Sequence, residues 1–179
     1  MAKRIIKCLN DSGLDYAFTG ALAVSYYGIP RTTSDVDVMI TIRNERSEIN
    51  KIIGTLLCVG LDVTEQQIMN ALQSGYNIIT ASDKASPYTV DIITSTQKIE
   101  KRAGKVAGLT TYLQEPIDLI LAKLRMIKAT IPRERAIKDE DDIKSIIRFT
   151  PIDLDSLRKR AKTEGTEDII DSINLSERS

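Results

Sequence analysis

The chain of 179 residues contains no histidine and no tryptophan, and it has only two cysteines. Without histidine it cannot form a Ser-His-Asp or Cys-His triad, a histidine-ligated zinc site or a histidine acid–base catalyst. The cysteines, Cys8 and Cys58, are too few for a four-thiolate metal site. Both lie in apolar helical contexts, which predicts two buried thiols in a reducing compartment.

Long apolar runs are also missing. No segment approaches the ~20 apolar residues that span a bilayer, and the N-terminal segment lacks an uninterrupted signal-type core. Basic and acidic side chains balance at 25 each, which excludes an overall basic coat for nucleic acid but not a local basic groove. These features predict a soluble, cytoplasmic protein that makes no membrane contact.

The residue pattern changes near residue 114. Up to that point, helical and strand-like spacings alternate, and beyond Pro116 the spacing is helical only. The sequence therefore predicts an α+β core over 1–114, a mixed sheet flanked by helices, and a helical C-terminal region over 115–179 packed on that core. The predicted helices before the change cover 1–12, 20–28, 45–59 and 65–73. The predicted strands cover 15–19, 35–42, 76–81, 88–94 and 105–112, with a helical turn over 97–103.

Three aspartates lie in strand-like patterns. Asp35 and Asp37 are two residues apart in DVDVMITI, so their side chains point to the same face of a strand. Asp91 lies in YTVDIIT, and if the two strands are neighbours, three carboxylates converge. Such charges repel one another unless a cation lies among them, and an all-oxygen donor set suits Mg²⁺ or Mn²⁺. The pattern favours a two-ion metal site, although a lone Asp-x-Asp is more often only solvated.

A second pattern precedes the acidic strand. Thr19, Gly20 and Ala21 form a strand-to-helix turn in which glycine lets the backbone approach a ligand closely. The following helix begins with free N–H groups and a partial positive charge, which suit a phosphate. Neither a Walker A sequence nor GxGxxG is present, so any phosphate is held in another way.

At this point the sequence resembles a known superfamily. The segment TGALAVSYYGIPRTTSDVDVMI is similar to the signature of polymerase-beta-type nucleotidyltransferases. Within it, the spacing of Gly28, Arg31, Thr33, Asp35 and Asp37 resembles a minimal prokaryotic branch that includes AbiEii-like toxins. The segments EPIDLILAKLRM and RAIKDEDDI resemble later motifs of that branch. The resemblance implies a mixed sheet flanked by helices, two Mg²⁺ ions and transfer of a nucleotidyl group from an NTP.

The resemblance also implies roles for single residues. Asp35, Asp37 and Asp91 are the expected metal ligands and catalytic residues, with Asp91 serving the acceptor hydroxyl. The turn of Thr19, Gly20 and Ala21 is the expected NTP site. Arg31 and Thr33 support the phosphates or the metal-site loop, unless Thr33 belongs only to a turn. The resemblance implies that Lys123 reaches the triphosphate. Alternatively, its side chain extends along the helix to solvent.

The sequence departs from the family pattern at Ala21, where glycine or serine is usual. This departure motivates an alternative function, a nucleotide-binding or partner-binding module of the same fold with impaired catalysis. Asp139 and Asp142 lie on an apolar helical face and are expected to pair with Arg133, Arg135 or Lys123.

The acidic strand does not indicate which molecule accepts the nucleotidyl group. A basic stretch in the helical region favours an RNA acceptor such as tRNA, and the resemblance to AbiEii-like toxins adds a small antitoxin protein as a partner. A small-molecule or protein hydroxyl stays open, because the same cations can bind the triphosphate or pair with acids. The stretch comprises Arg125, Lys128, Arg133, Arg135 and Lys138.

Overall fold

The computed structural model describes residues 1–42, 46–61, 63–74, 77–132 and 136–173, except for the side chains of Leu72 and Ser74. The chain divides into two compact units. Unit 1 comprises Met1–Leu22 and Thr32–Gln114, and unit 2 comprises Ala23–Arg31 and Glu115–Ser179. One boundary between the units follows Gln114, and the segment Ala23–Arg31 belongs to unit 2.

The helices and strands alternate through unit 1, and unit 2 is helical. In chain order the elements are α1 (Ala2–Ser12), β1 (Tyr16–Phe18), α2 (Gly20–Tyr27), β2 (Asp35–Thr41), α3 (Arg46–Val59), α4 (Glu65–Ser74), β3 (Ile78–Ser82), β4 (Thr89–Ser95), β5 (Lys101–Val106), β6 (Leu109–Gln114), α5 (Pro116–Ala129), α6 (Ile137–Phe149), α7 (Leu154–Thr163) and α8 (Glu167–Ser172).

The strands of unit 1 form one six-stranded mixed sheet in the order β3-β4-β2-β1-β6-β5. β1 pairs antiparallel with β2 and parallel with β6. β2 pairs parallel with β4, and the outer strands β3 and β5 pair antiparallel with β4 and β6. The predicted α+β class and mixed sheet are confirmed.

One face of the β2–β4 pair forms the core of unit 1. Both strands alternate buried and half-buried residues, as expected for strands with one apolar face. The buried positions, among them Ile40 and Ile92, share a hydrophobic cluster with side chains of α1, α3 and α4. Full burial of such a side chain is worth about 1.5–3 kcal/mol. The register of these strands is therefore fixed, and the aspartates must occupy the opposite face.

Unit 2 is built on amphipathic helices. Pro116 occupies the first turn of α5, and Ile120, Leu124 and Ile127 of its apolar stripe are buried. α7 begins at Leu154, because the Asp153 side chain accepts hydrogen bonds from two backbone N–H groups and caps the helix there. No helix in the described ranges has the length and hydropathy needed to cross a bilayer.

The prediction for residues 97–112 is wrong in two respects. No helical turn forms over 97–103, and the single strand expected over 105–112 is a hairpin of β5 and β6. Ala107 and Gly108 form its two-residue turn with φ of 51° and 83°. Such turns need positive φ at both central positions. Alanine is an unusual first residue there, which explains why the turn was missed.

The prediction of two free buried thiols is also wrong. Cys8 of α1 and Cys58 of α3 form a disulfide that closes a separation of 50 residues. Cys8 is buried but Cys58 is exposed. Cysteine thiols are kept reduced in most cytoplasms, so disulfides are rare there. The two cysteines therefore no longer support the expectation of a cytoplasmic protein.

Candidate active site

The parallel pairing of β2 with β4 brings the predicted acidic residues together. Asp37 and Asp91 are direct partners in this register, so their backbones are separated by one strand spacing of about 4.8 Å. Asp35 lies two residues before Asp37 and therefore on the same face. All three are half-buried. The structure thus places the three aspartates, which we call the acidic row, on one face of two neighbouring strands in unit 1.

The neighbouring strand β3 adds a hydroxyl group to this row. Thr80 is the register partner of Asp91, and its Oγ1 donates a hydrogen bond of 2.6 Å to Asp91 Oδ1. Asp37, Asp91 and Thr80 therefore form a row across β2, β4 and β3. Sequence reasoning missed Thr80, because a threonine in a strand is ordinary and only the register of β3 reveals its neighbour.

A second threonine holds the first aspartate. The Thr33 hydroxyl donates to Asp35 Oδ1, and the Asp35 backbone N–H approaches Thr33 Oγ1 at 3.4 Å. This local pattern is typical of a side chain that fixes its own turn. Thr33 consequently contacts the first residue of the acidic strand.

The glycine turn packs directly against the acidic row. The Thr19 backbone N–H donates to the Asp37 carbonyl at 3.0 Å, and Gly20 has a φ of +54°. A Cβ on Gly20 would lie 1.9 Å from Asp37 Oδ2, which only glycine avoids. The close approach that the sequence predicts for this turn is therefore an approach to a carboxylate of the site.

The side chains of the turn are engaged inside unit 1. Thr19 is buried, and its hydroxyl donates to Gln114 Oε1 at 2.5 Å. Ala21 is 4% exposed. A phosphate at this turn would therefore be bound by the free backbone N–H groups of the first turn of α2 rather than by a side chain of Thr19 or Ala21.

The acidic row has the ligand chemistry of a hard divalent cation. Three carboxylates lie on one face of β2 and β4, and such oxygen ligands suit Mg²⁺ and Mn²⁺. Within the described part of the chain, no three acidic or cysteine side chains are already gathered as a metal cage. Asp35 and Asp91 instead bond to Thr33 and Thr80. The residues fit the ion in donor type and register, and a site of three carboxylates would require at least one of these side chains to turn.

Arg31 and Lys123 belong to unit 2, where both bind the same carboxylate. Arg31 donates from Nε and Nη2 to the two oxygens of Asp142, each at 2.9 Å. Lys123 Nζ lies 2.6 Å from Asp142 Oδ2 and 2.9 Å from Asp139 Oδ1. The predicted pairing of Asp139 and Asp142 with Lys123 is confirmed, whereas Arg133 and Arg135 lie outside the described residues.

This network is largely shielded from water. Asp142 and Lys123 are 4% and 7% exposed. Arg31 Nη1 is sealed from solvent and has no hydrogen-bond partner among the described residues. A buried N–H donor without a hydrogen bond lowers the stability of the fold. An anion that accepted a hydrogen bond from Arg31 Nη1 would remove this cost.

Two of the five basic side chains that suggested an RNA surface, Arg125 and Lys128, are engaged within unit 2. Arg125 pairs with Glu164 at 2.5 Å, and Lys128 Nζ donates to the Gly165 carbonyl at 2.9 Å. On α7, three further cations pair with acids: Arg158 with Asp171, Arg160 with Asp118 and Lys162 with Glu167. These contacts fit a solvated, ion-paired helical surface.

The fold of the chain is similar to that of solved nucleotidyltransferase structures. The solution structure of ANT(2'')-Ia, an antibiotic-resistance factor, has a TM-score of 0.60 at 11% identity and covers 96% of this chain and 89% of that chain. The crystal structure of ANT(2'')-Ia with adenylyl-2''-tobramycin has a TM-score of 0.59 at 11% identity and covers 96% and 95%. An antigenic nucleotidyltransferase-like protein from Paracoccidioides brasiliensis has a TM-score of 0.54 at 14% identity and covers 93% and 91%.

In sequence, no family model and no curated protein matches the chain. At identities of 11–14%, the structural similarity shows the fold alone.

Proposed function

We propose that the protein transfers a nucleotidyl group from an NTP to an acceptor hydroxyl and uses two Mg²⁺ ions, which Mn²⁺ can replace. The observation that carries this proposal is the direct pairing of Asp37 with Asp91 in the register of β2 and β4, with Asp35 on the same face. An acidic row of this kind in a nucleotidyltransferase fold supports metal-dependent phosphoryl chemistry.

In the proposed reaction, the acceptor oxygen forms a bond to the α-phosphorus of the NTP while the bond to the pyrophosphate oxygen breaks. Asp35 and Asp37 would hold both ions, and Asp91 would share the ion on the acceptor side. The ions would supply charge neutralisation for the leaving pyrophosphate and a lowered pKa for the acceptor hydroxyl. Asp91 would take the proton of that hydroxyl, since one of its oxygens stays available beside the bond to Thr80.

The phosphates would be held by main-chain N–H groups at the start of α2, beside Gly20. Arg31 and Lys123 are further proposed phosphate ligands, following the motif resemblance. Arg31 Nη1, which has no hydrogen-bond partner in the described part of the chain, supports this role for Arg31. Lys123 would have to share its charge between a phosphate and the carboxylates of Asp139 and Asp142.

For the acceptor, we propose a small polyhydroxylated molecule. The similar ANT(2'')-Ia is solved with adenylyl-2''-tobramycin, and the ion pairs of Arg125, Arg158 and Arg160 weaken the case for a nucleic-acid surface. The alternative is an AbiEii-like function, in which RNA is the acceptor and a small antitoxin protein is the partner.

Labelled nucleotide transfer tests the proposal. The protein is incubated with each of four α-labelled NTPs, Mg²⁺ and either an aminoglycoside panel or total tRNA. We expect labelled small-molecule product from the wild type and from Asp11→Ala, which removes an exposed carboxylate of α1, and none from Asp35→Ala/Asp37→Ala. Label in the tRNA fraction would favour the RNA alternative. Equal labelling by the double variant would overturn the mechanism, and NTP binding without transfer in calorimetry would favour the impaired module.

A further inference from the structure

The outer strand β3 places its polar side chains beside the acidic row. Thr80 and Ser82 lie on the same face of β3, two residues apart, and both are exposed. Their partners on β4 differ, because Thr80 is opposite Asp91 whereas Ser82 is opposite Thr89. Only one of these two hydroxyl positions therefore faces an aspartate across the ladder.

Thr80 uses this position to bind the carboxylate. The 2.6 Å bond from its Oγ1 engages Asp91 Oδ1, and a carboxylate that accepts one such bond retains lone pairs on both oxygens for other partners. A β-branched side chain in a strand has few χ1 rotamers, so its hydroxyl is a well-fixed donor. The bond thus restricts how the Asp91 carboxylate can turn.

We propose that Thr80 is a positioning residue for Asp91: its hydroxyl holds the carboxylate in the orientation that receives a divalent cation. This inference rests on the proposed function. Thr33 makes the equivalent bond to Asp35, so two of the three aspartates each receive one threonine hydroxyl. Hydrogen bonds of this kind orient metal-binding carboxylates, and their loss typically lowers metal affinity about 10–100-fold.

If the role of Thr80 were purely structural, Thr80→Val would lower the free energy of unfolding. We expect no such loss. Hydrogen bonds between exposed side chains add little to the free energy of unfolding, and Thr80→Val keeps the β-branched shape that suits a strand. The variant should therefore fold as stably as the wild type. Its defect should appear only where the orientation of Asp91 matters.

Two measurements test the proposal on the full chain. Mn²⁺ affinity is measured by electron paramagnetic resonance without nucleotide, and the χ1 distribution of Asp91 is measured by NMR couplings without metal. We expect Thr80→Val to weaken Mn²⁺ binding about 10-fold and to spread Asp91 over several rotamers. Thr80→Ser should restore both properties, and Ser82→Ala is the matched control that should change neither.

The outcomes separate the two proposals. If the wild type binds Mn²⁺ and Thr80→Val binds it equally well with Asp91 in one rotamer, the role of Thr80 is overturned while the proposed function stands. An equal loss in Ser82→Ala would also overturn it, because the effect would not be specific to the partner of Asp91. If the wild type binds no Mn²⁺ and transfers no nucleotide, the proposed function fails, and the role of Thr80 fails with it.

Discussion

Gly20 leaves no room for a side chain beside Asp37, because a Cβ there would lie 1.9 Å from the Asp37 carboxylate oxygen. The φ of +54° at Gly20 adds backbone strain of about 1–2 kcal/mol for any other residue. We expect Gly20→Ala to lower the free energy of unfolding by more than that strain and to weaken Mn²⁺ binding, since Asp37 must move.

The matched control for this substitution is Gly54, which lies inside helix α3 and where an added Cβ would have open space around it. Gly54→Ala should stabilise the protein by about 0.5–1 kcal/mol through helix propensity alone. Urea denaturation of both variants measures the difference. Equal unfolding free energies for the two alanine variants would contradict the close packing of Gly20 on Asp37.

Asp142 forms ion pairs with two cations in unit 2, so replacing it with a neutral side chain should lower the free energy of unfolding strongly. Asp142→Asn leaves Lys123 and Arg31 with one fewer buried negative charge, and removing one partner of a buried ion pair typically costs about 3–5 kcal/mol. Asp139→Asn should cost about 1 kcal/mol or less, because the Asp139 side chain is 26% exposed and, among the described residues, forms its ion pair with Lys123. Urea unfolding at pH 7 tests the ranking, and equal losses would show that Asp142 is not the centre of the network.

Asp15 should make stability depend on acidic pH. Burial raises the pKa of Asp15, but hydrogen bonds from Lys101 and Thr41 outweigh it and hold this pKa below its ordinary value. The ionised group therefore stabilises the fold above the unfolded pKa of about 3.9, and this contribution is lost as the pH falls through the lower folded pKa.

We expect Asp15→Asn to lower the free energy of unfolding at pH 7 by no more than about 1 kcal/mol, because the Asp15 side chain is 38% exposed. The gap between wild type and variant should close as the pH falls below about 4. Repeating the comparison in a Lys101→Met background should remove most of the gap at pH 7. A gap that widens in acid would reverse the expected sign.

The disulfide should contribute strongly to stability. Cys8 and Cys58 close a separation of 50 residues, for which the chain-entropy treatment gives about 4 kcal/mol. Peptide mass spectrometry without reductant should recover the linked pair. Reduction and the Cys8→Ala/Cys58→Ala variant should then lower the unfolding free energy by similar amounts. Two freely alkylated thiols in the native protein would contradict the pairing.

Much of the sheet follows from local pattern, as β2 shows. Alternating aspartate and aliphatic residues from Asp35 onward predict a half-buried strand, and the hydrophobic cluster behind it fixes which face carries the acids. The same periodicity identifies the strand around Asp91. Local pattern does not specify that β2 and β4 are neighbours or that Asp37 lies opposite Asp91, because pairing depends on packing of the whole sheet.

The contacts that sequence reasoning could not supply are those made across long separations. Thr80 meets Asp91 only through the β3–β4 register, and Arg31 meets Asp142 across 111 residues. The turn at Ala107 was missed for a different reason, since its first residue lacks the side-chain chemistry typical of such turns. The metal-binding and phosphate-binding roles stay predictions that the experiments above address.

The parallel pairing of β1 with β6 also means that β1 is synthesised well before one of its partner strands. Thr19, directly after β1, bonds to Gln114 at the end of β6, 95 residues later. At translation rates of about 5–20 residues per second, β6 is synthesised about 5–20 s after β1. Throughout that interval one edge of β1 has no strand to pair with, so a ribosome-bound chain that stops before residue 114 should be prone to protease cleavage and to association with chaperones.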